Sequence, residues 1–539
     1  MNNKSLLLDN CDLMVTADLK RIHLKQPSDK ALTKMVVFVA YPWLLHHQLD
    51  FAFAHALKNR GIRVSIILCN RVQRSPRQKY GCEVLHTAAN PEVLCAGCHQ
   101  GYGQLFHGFH HLPLEAGTEA EALIDQILPD ISELSLAEVI DIKIANIPMY
   151  RIAYSTLCTR HRTAPLDIRE DWRELLTDET RIACRVWMAL DQHRLFFQSE
   201  ANTTAALVFN GRFTPYRVAY HYLESLGIDR LVHERGKSDD NYTIVMNRTG
   251  LDPRFHSSPE QFNALKRHSD IERQQCAALA SEKLLLKSQG KNTGWFSYAN
   301  TAVSESQVIQ DITDKSQSIV SMFTSSPDEG DYQPQKICVM GRQLELLANI
   351  SKILRDDGHY TCIRHHPNTS KTKSASGRSV EHYNAEALKY ANSFSQSIMG
   401  EENVSSMQIA QESTACISLS SSICLEIAYK TRKCIVSSNS LFKQLFPARM
   451  IIKLHQKSYD FPAQQIRRAI KAVPMTDEEY EDFLLGVYQM YFINKYTFES
   501  FGYTEKVKLR SSPAEVLSAI PNDKVLSEIC DLMINRRYV

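Results

Sequence analysis

The sequence predicts an α/β fold of two doubly wound, Rossmann-like domains in tandem, each a parallel sheet covered by helices. Three observations carry that reading. At 539 residues the chain exceeds what one hydrophobic core organises. One pattern of strand, loop, amphipathic helix and second strand opens both halves. The strands are unbroken apolar runs rather than alternating ones, as expected where both sheet faces are covered. A hydrophobic content of 44% with 23% charged residues fits a globular chain.

In chain order, Met35–Ala40 is a β-branched run, followed by a loop at Tyr41–His47. Leu49, Phe53, Ala56 and Leu57 then share one helical face, and Gly61 ends the helix before a second strand at Ile62–Cys69. Ala205–Phe209 and Ile228–Val232 read as further strands, with Arg217 on the helix between them. The second opening runs from a strand at Ser318–Thr324 through a helix at Leu344–Leu354 to a strand at Tyr360–Arg364. Strands at Cys416–Leu419 and Lys433–Ser437 flank a helix from about Ser422 to Tyr429, and Asp477–Tyr496 reads as a long amphipathic helix. The expected organisation is an extension (1–34), a first domain (35–256), a helical linker (257–315), a second domain (316–475) and C-terminal helices packing across the domains (476–539).

A formal net charge of +2 provides no overall basic field for nucleic acid, so any anion site must be local. Residues 1–34 lack the apolar core of a signal peptide. Met35–Leu45, the longest strongly apolar run, falls well short of the roughly 20 residues that span a bilayer. A cytoplasmic location is therefore expected, and the fourteen cysteines read as core thiols or metal ligands rather than disulfides.

Arg364-His365-His366-Pro367-Asn368 follows a strand, which places Arg364 and His366 at the sheet's carboxyl edge, where both suit phosphate. A polar loop that caps backbone is the plainer alternative. Ser420-Ser421-Ser422 lies at a strand-to-helix junction, whose free N–H groups and positive dipole end also suit phosphate. Glu426, one turn in, can accept hydrogen bonds from ribose hydroxyls; ordinary capping explains the same residues. Ser325 and Ser326 end the opening strand of this half.

In the first half, Asn210-Gly211-Arg212 and Arg217 follow one strand, and His233-Glu234-Arg235-Gly236 follows another. Glu234 stands where a general base would deprotonate an acceptor hydroxyl; an ion pair with Arg212 that shapes the loop is the plainer alternative. His46 and His47, in the first loop, are candidates for acceptor contact or base, against a surface-loop alternative. Cys69, Cys82, Cys95 and Cys98 have spacing compatible with a structural tetrahedral zinc, with His107, His110 or His111 able to replace one thiolate; incidental thiols are the alternative. Cys95-Ala-Gly-Cys98-His99 also matches a haem-attachment pattern, which the absence of an export signal argues against. Asp239-Asp240 and Asp356-Asp357 sit in polar segments and read as solvated turns rather than metal-binding pairs.

Taken in order, Asn210-Gly211-Arg212, His233–Gly236, Phe323–Glu329, Arg364–Asn368 and Ser421-Ser422…Glu426–Tyr429 resemble bacterial capsule and surface-polysaccharide glycosyltransferases. That group is distantly similar to polysialyltransferases, capsule Kdo transferases and teichoic-acid polymerases. The resemblance spans about Met35 to Ser440. It implies the GT-B arrangement, two Rossmann-like domains facing a central cleft, and transfer from a nucleotide-sugar donor to a glycan or lipid-linked glycan acceptor. It implies donor-phosphate contacts for His366, Ser421 and Ser422, the base for Glu234, and no cofactor required for catalysis. Peripheral contact with the inner membrane or with polysaccharide assembly machinery is compatible with it. Arg235 departs from the pattern, because polysialyltransferases are acidic there. A sugar-nucleotide 2-epimerase, a CDP-polyol phosphotransferase of teichoic-acid type and a non-catalytic assembly or export protein are the competing readings.

Overall fold

Two parallel sheets organise the chain in a computed structural model, which describes residues 31–41, 44–73, 82, 91–161, 169–236, 241–249, 258–289, 310, 314, 318–325, 342–366, 385–400, 402, 404–455, 460–502 and 511–535. Ser326, Pro367 and Asn368 lie outside these residues. One compact unit gathers the described residues of 1–157, 169–264 and 491–539, and the other those of 158–168 and 265–490.

The first unit begins with β1 (Lys34–Val39), β2 (Arg63–Cys69), β3 (His110–Leu114), β4 (Thr204–Phe209), β5 (Asp229–Arg235) and β6 (Asn241–Met246). The second carries β7 (Ile319–Phe323), β8 (Tyr360–Arg364), β9 (Gln396–Ile398), β10 (Ala415–Ser418), β11 (Ile435–Ser437) and β12 (Ile451–Ile452). The chain then returns to the first sheet as β13 (Lys495–Thr497). The sheet orders are β13-β6-β5-β4-β1-β2-β3 and β12-β11-β10-β7-β8-β9. The second sheet is all parallel. In the first, β6 and β13 add antiparallel to the edge of a parallel sheet.

In each sheet the order reverses about the opening strand, between β1 and β4 and between β7 and β10. In open α/β sheets ligands bind at such switch points, beyond the carboxyl ends of the strands. Those two rims are therefore where function is sought.

The helices follow from apolar faces and end signals. The first, α1 (Leu44–Lys58), buries Leu49, Phe53, Ala56 and Leu57 and ends before Gly61, whose φ of +82° favours glycine. Helices α2 (Pro91–Leu105), α3 (Trp172–Asp191) and α4 (Thr214–Ser225) belong to the same unit. In the second unit α5 (Asp270–Ser288) opens with a Ser269/Glu272 capping box. It is followed by α6 (Gln343–Asp356), α7 (Ile423–Thr431) and α8 (Asp477–Phe492). The last, α9 (Lys524–Ile534), contributes Leu526, Ile529 and Met533 to the core around β1 and α1. Among the described residues no helix is long and apolar enough to cross a membrane.

Two sequence expectations are corrected. His46 and His47 are not loop residues: α1 begins at Leu44 and both lie buried in its first turn, where His47 bonds to Asp50 three residues on. β5 does not stop at Val232 but continues through Arg235, because antiparallel β6 pairs Glu234 with Thr243 and Arg235 with Tyr242.

Candidate functional site

At the first rim, Tyr216 on α4 closes the exit of β1. Its hydroxyl accepts the Ala40 and Tyr41 N–H groups at 3.1 and 3.0 Å. β4 leaves through Asn210 and Gly211, both left-handed (φ +54° and +64°). A Cβ at Gly211 would come within 2.9 Å of the Thr249 side chain, so the turn requires glycine there.

Glu234 is partly exposed, with Asn210 Nδ2 donating to one carboxylate oxygen and the Arg235 N–H to the other at 2.8 Å. Burial in dense surroundings raises its carboxyl above the ordinary value, and the bonds from Arg235 and Asn210 offset that only in part. Alternation along β5 places Val232 in the small cluster with Tyr220 of α4, and Leu231 in the core with α1. Glu234 therefore lies on the α4 side and His233 on the α1 side. His46 is packed against Phe209 with ring centroids 4.1 Å apart, and burial first, then its neighbours His233, His47 and Arg235, lower it well below the usual histidine value. The two candidate bases occupy different faces of this rim. Arg217 points along α4 to His221 Nε2 (3.2 Å) and Thr249 (3.4 Å), and Arg212 lies over Phe213.

Between the bases lies a group that sequence reasoning did not single out. Asp50 Oδ2 is 2.6 Å from His47 Nδ1, and Oδ1 is 2.9 Å from His233 Nε2, with all three side chains fully excluded from solvent. Burial alone would raise the Asp50 carboxyl, but His233 and then His47 outweigh it and hold it at about 2.

At the second rim, β7, β8 and β10 end side by side. His366, partly exposed, gives its backbone N–H to Thr324 Oγ1 at 2.8 Å, joining the ends of β8 and β7. Ser325 is buried and pairs through its backbone with the Gln343 amide, donating at 2.9 Å and accepting at 3.1 Å. Ser421 is buried, with its carbonyl accepting from the Ser418 hydroxyl at 3.2 Å. Ser422 occupies the N-cap of α7, is exposed and makes no side-chain capping bond, while the Cys424 and Leu425 N–H groups donate to the Ser421 and Ser422 carbonyls at 3.2 and 3.0 Å.

Two expected donor contacts have other partners. The Arg364 guanidinium, 4% exposed, donates to the carbonyls of Met399 and of Glu402, the latter at 3.1 Å. Glu426 pairs with Lys287 of α5 at 2.7 Å. Lys287 was not foreseen, because nothing in the sequence relates it to a residue 139 positions away. Of the two histidines after β8, His365 is buried, bonds to Ser397 Oγ (3.2 Å) and is lowered to about 4 by burial and Arg364.

The cysteine expectation is resolved only as neighbours. Cys69 ends β2, while Cys95 and Cys98 lie on α2. Burial first, then the adjacent cysteines, raise the Cys98 thiol to about 12; burial likewise raises Cys69. Cys82 is buried. Among the described residues no three of His, Cys, Asp or Glu are arranged to hold a metal ion, so the four thiols do not fit a closed zinc site as they stand.

No family model matches the chain, and no curated protein matches it. Among solved structures, the beta Kdo 2,4 transferase KpsC of Thermosulfurimonas dismutans is similar at 10% identity and a TM-score of 0.31, over 59% of this chain and 86% of its own. An E. coli structure described as trehalose-6-phosphate bound with UDP-2-fluoro glucose is similar at 9% and 0.30, over 93% and 98%. A UDP-N-acetylglucosamine 2-epimerase structure is similar at 11% and 0.21, over 84% and 90%. Likenesses this distant do not extend to activity.

Proposed function

We propose that the chain is a glycosyltransferase that moves a sugar from a nucleotide donor to a growing surface or capsular glycan. The observation that carries the reading is the second rim. The start of α7, where exposed Ser422 makes no side-chain cap, stands with Ser421 and the partly exposed His366 around the β7/β10 switch point, the position at which open α/β sheets take nucleotides. In this reading the diphosphate lies against the α7 N-terminus, with Ser421, Ser422 and His366 around it and Ser325 beside it. Glu426, oriented by Lys287, accepts from the ribose. Arg364 supports the site by holding the Met399 and Glu402 carbonyls. Dipole and imidazole offset the leaving-group charge without a catalytic metal.

The first unit receives the acceptor, with Asn210, Arg212 and Arg217 near its rim and Glu234 as the base. Action in the cytoplasm, at machinery on the inner membrane, belongs to the same proposal. Thermal shift of the full chain with CMP, CDP, UDP and GDP tests the donor side, and product analysis with the corresponding sugar nucleotides tests the transfer. Stabilisation by none of the four would overturn the nucleotide reading. A product that is an epimerised sugar nucleotide would replace transfer with epimerisation. Chelator that abolishes turnover would overturn metal independence.

A further inference from the structure

Each of the two segments that carry a candidate base places a histidine beside it in sequence: His47 next to His46, and His233 next to Glu234. Both histidines reach the same carboxylate. Asp50 receives His47 Nδ1–H on one oxygen at 2.6 Å and His233 Nε2–H on the other at 2.9 Å. The second nitrogen of His47 lies 2.7 Å from the Tyr41 carbonyl and 3.3 Å from the Tyr216 hydroxyl. The shorter approach is to an atom that only accepts, and the ring is held between Asp50 and the Tyr41 carbonyl. The Nδ1 of His233 is buried without a hydrogen-bond partner among the described residues. Nε2, which faces Asp50, is the ring nitrogen that carries its hydrogen bond.

We propose that Asp50 is the positioning residue of the acceptor-side rim, fixing through His47 and His233 the two segments that carry His46 and Glu234. The inference rests on the acceptor-side reading above. The rim spans β1, β4 and β5; Gln48 of α1 reaches the Tyr242 hydroxyl of β6 at 2.7 Å, beside the end of β5, and a direct tie between the α1 turn and β5 itself would fix both. The carboxylate supplies that tie, and the His47–Tyr41 bond extends it to the exit of β1. Neither histidine reaches solvent, so neither touches substrate; their effect is exerted through the residue beside each.

The test compares His233→Gln, which offers an amide N–H near the place of Nε2, with His233→Leu, which offers none, alongside Asp50→Asn. The full chain is labelled with ring-15N histidine, and amide hydrogen exchange is followed over 41–50 and 231–236. Asp50→Asn and His233→Leu are expected to shift the His46 ring signal and to speed exchange in both segments, with circular dichroism unchanged, while His233→Gln stays near wild type. If Asp50→Asn leaves the His46 signal and both segments unchanged, the proposal fails. With whichever sugar nucleotide proves active, Asp50→Asn and His233→Leu are expected to lower kcat by about 10²-fold at unchanged donor KM, the scale of a misplaced reacting group. His233→Gln should keep most of kcat. A Gln variant as inactive as the Leu variant would make His233 the proton acceptor and overturn the positioning role. If no sugar nucleotide is active, the transferase reading fails while the resonance and exchange measurements still decide this one.

Discussion

Nε2 of His233 lies 2.9 Å from Oδ1 of Asp50, 183 positions earlier in the chain, with both side chains fully buried. A buried charge held by two donors is costly to disturb from one side only, because the partners lose their acceptor without regaining water. Asp50→Ala is expected to lose about 3–5 kcal/mol of unfolding free energy by urea denaturation. With its folded value near 2, the carboxyl's contribution is complete above its unfolded value of about 4 and is lost as pH falls through 2. A loss under about 1 kcal/mol would mean that the cluster relaxes freely and holds nothing.

The donor rim predicts separable effects. His366→Ala should lower transfer by about 10²-fold with the fold intact, since its side chain stands at the rim while its backbone makes the Thr324 bond. Lys287→Met should weaken nucleotide binding about tenfold by releasing Glu426, and Lys287→Arg should restore much of it, as an Arg can still pair with the carboxylate. Thermal shift against nucleotide concentration measures both. Unchanged affinity in Lys287→Met would leave Glu426 as a partner of α5 and nothing more.

Much of this frame can be read from residue order. Tyr360–Arg364 has the same ends in sequence and structure, because Gly358 stops the preceding helix and the apolar run then has nowhere else to start. β6 and β13 escape such a reading. Lys495–Thr497 is three residues long and largely polar, and it is a strand only because β6, some 250 residues earlier, offers it an edge. Asp50 is hidden for a related reason. On the helical pattern it looks like a polar residue between apolar ones, and its meaning lies in His233. Ser422 shows the opposite case: its position at a helix start is evident, but only the structure shows that its hydroxyl makes no cap.

The cysteines at the end of β2 and on α2 should be slow to react. Burial and neighbouring sulfurs favour the protonated thiol at Cys69 and Cys98, and only the thiolate attacks an alkylating reagent. Iodoacetamide labelling at pH 7.5, followed by peptide mass spectrometry, is expected to spare both, with or without chelator. If about one equivalent of zinc is present in the protein as purified, and chelator exposes these thiols, then the four cysteines close around a metal after all.

Acid sensitivity should include a share from His365. Burial lowers it to about 4 from about 6.5, so below pH 6.5 the unfolded chain takes up a proton that the folded one refuses. Stability from this group is complete above 6.5 and falls as pH drops toward 4, by about 3 kcal/mol in all. His46 and half-buried His55 are lowered too and act in the same direction. His365→Gln, which keeps a donor for Ser397, should therefore flatten the fall in melting temperature between pH 6.5 and 4 without abolishing it. Parallel curves for the two proteins would remove His365 from the account.

The base is the prediction on which most depends. Direct displacement at the sugar carbon needs a proton acceptor within hydrogen-bond reach of the acceptor hydroxyl. Glu234 is partly exposed at the rim, is oriented by Asn210, and has a carboxyl raised by burial, which makes it a stronger base than an ordinary carboxylate once ionised. Sequence alone argues the reverse, since Arg235 beside it would depress the acid; in the folded chain burial outweighs that neighbour. His46 is neutral at working pH but packs against Phe209 and is only 9% exposed. Glu234→Gln keeps shape and the Asn210 contact while removing basicity. It should leave nucleotide stabilisation unchanged and lower kcat by about 10²–10⁴-fold. In the wild type the acid limb of kcat/KM should fall above the ordinary glutamate value of about 4.5, the sign set by the raised carboxyl, and it should vanish in the variant. Normal turnover in Glu234→Gln, together with collapse in His46→Ala, would move the base to the first turn of α1.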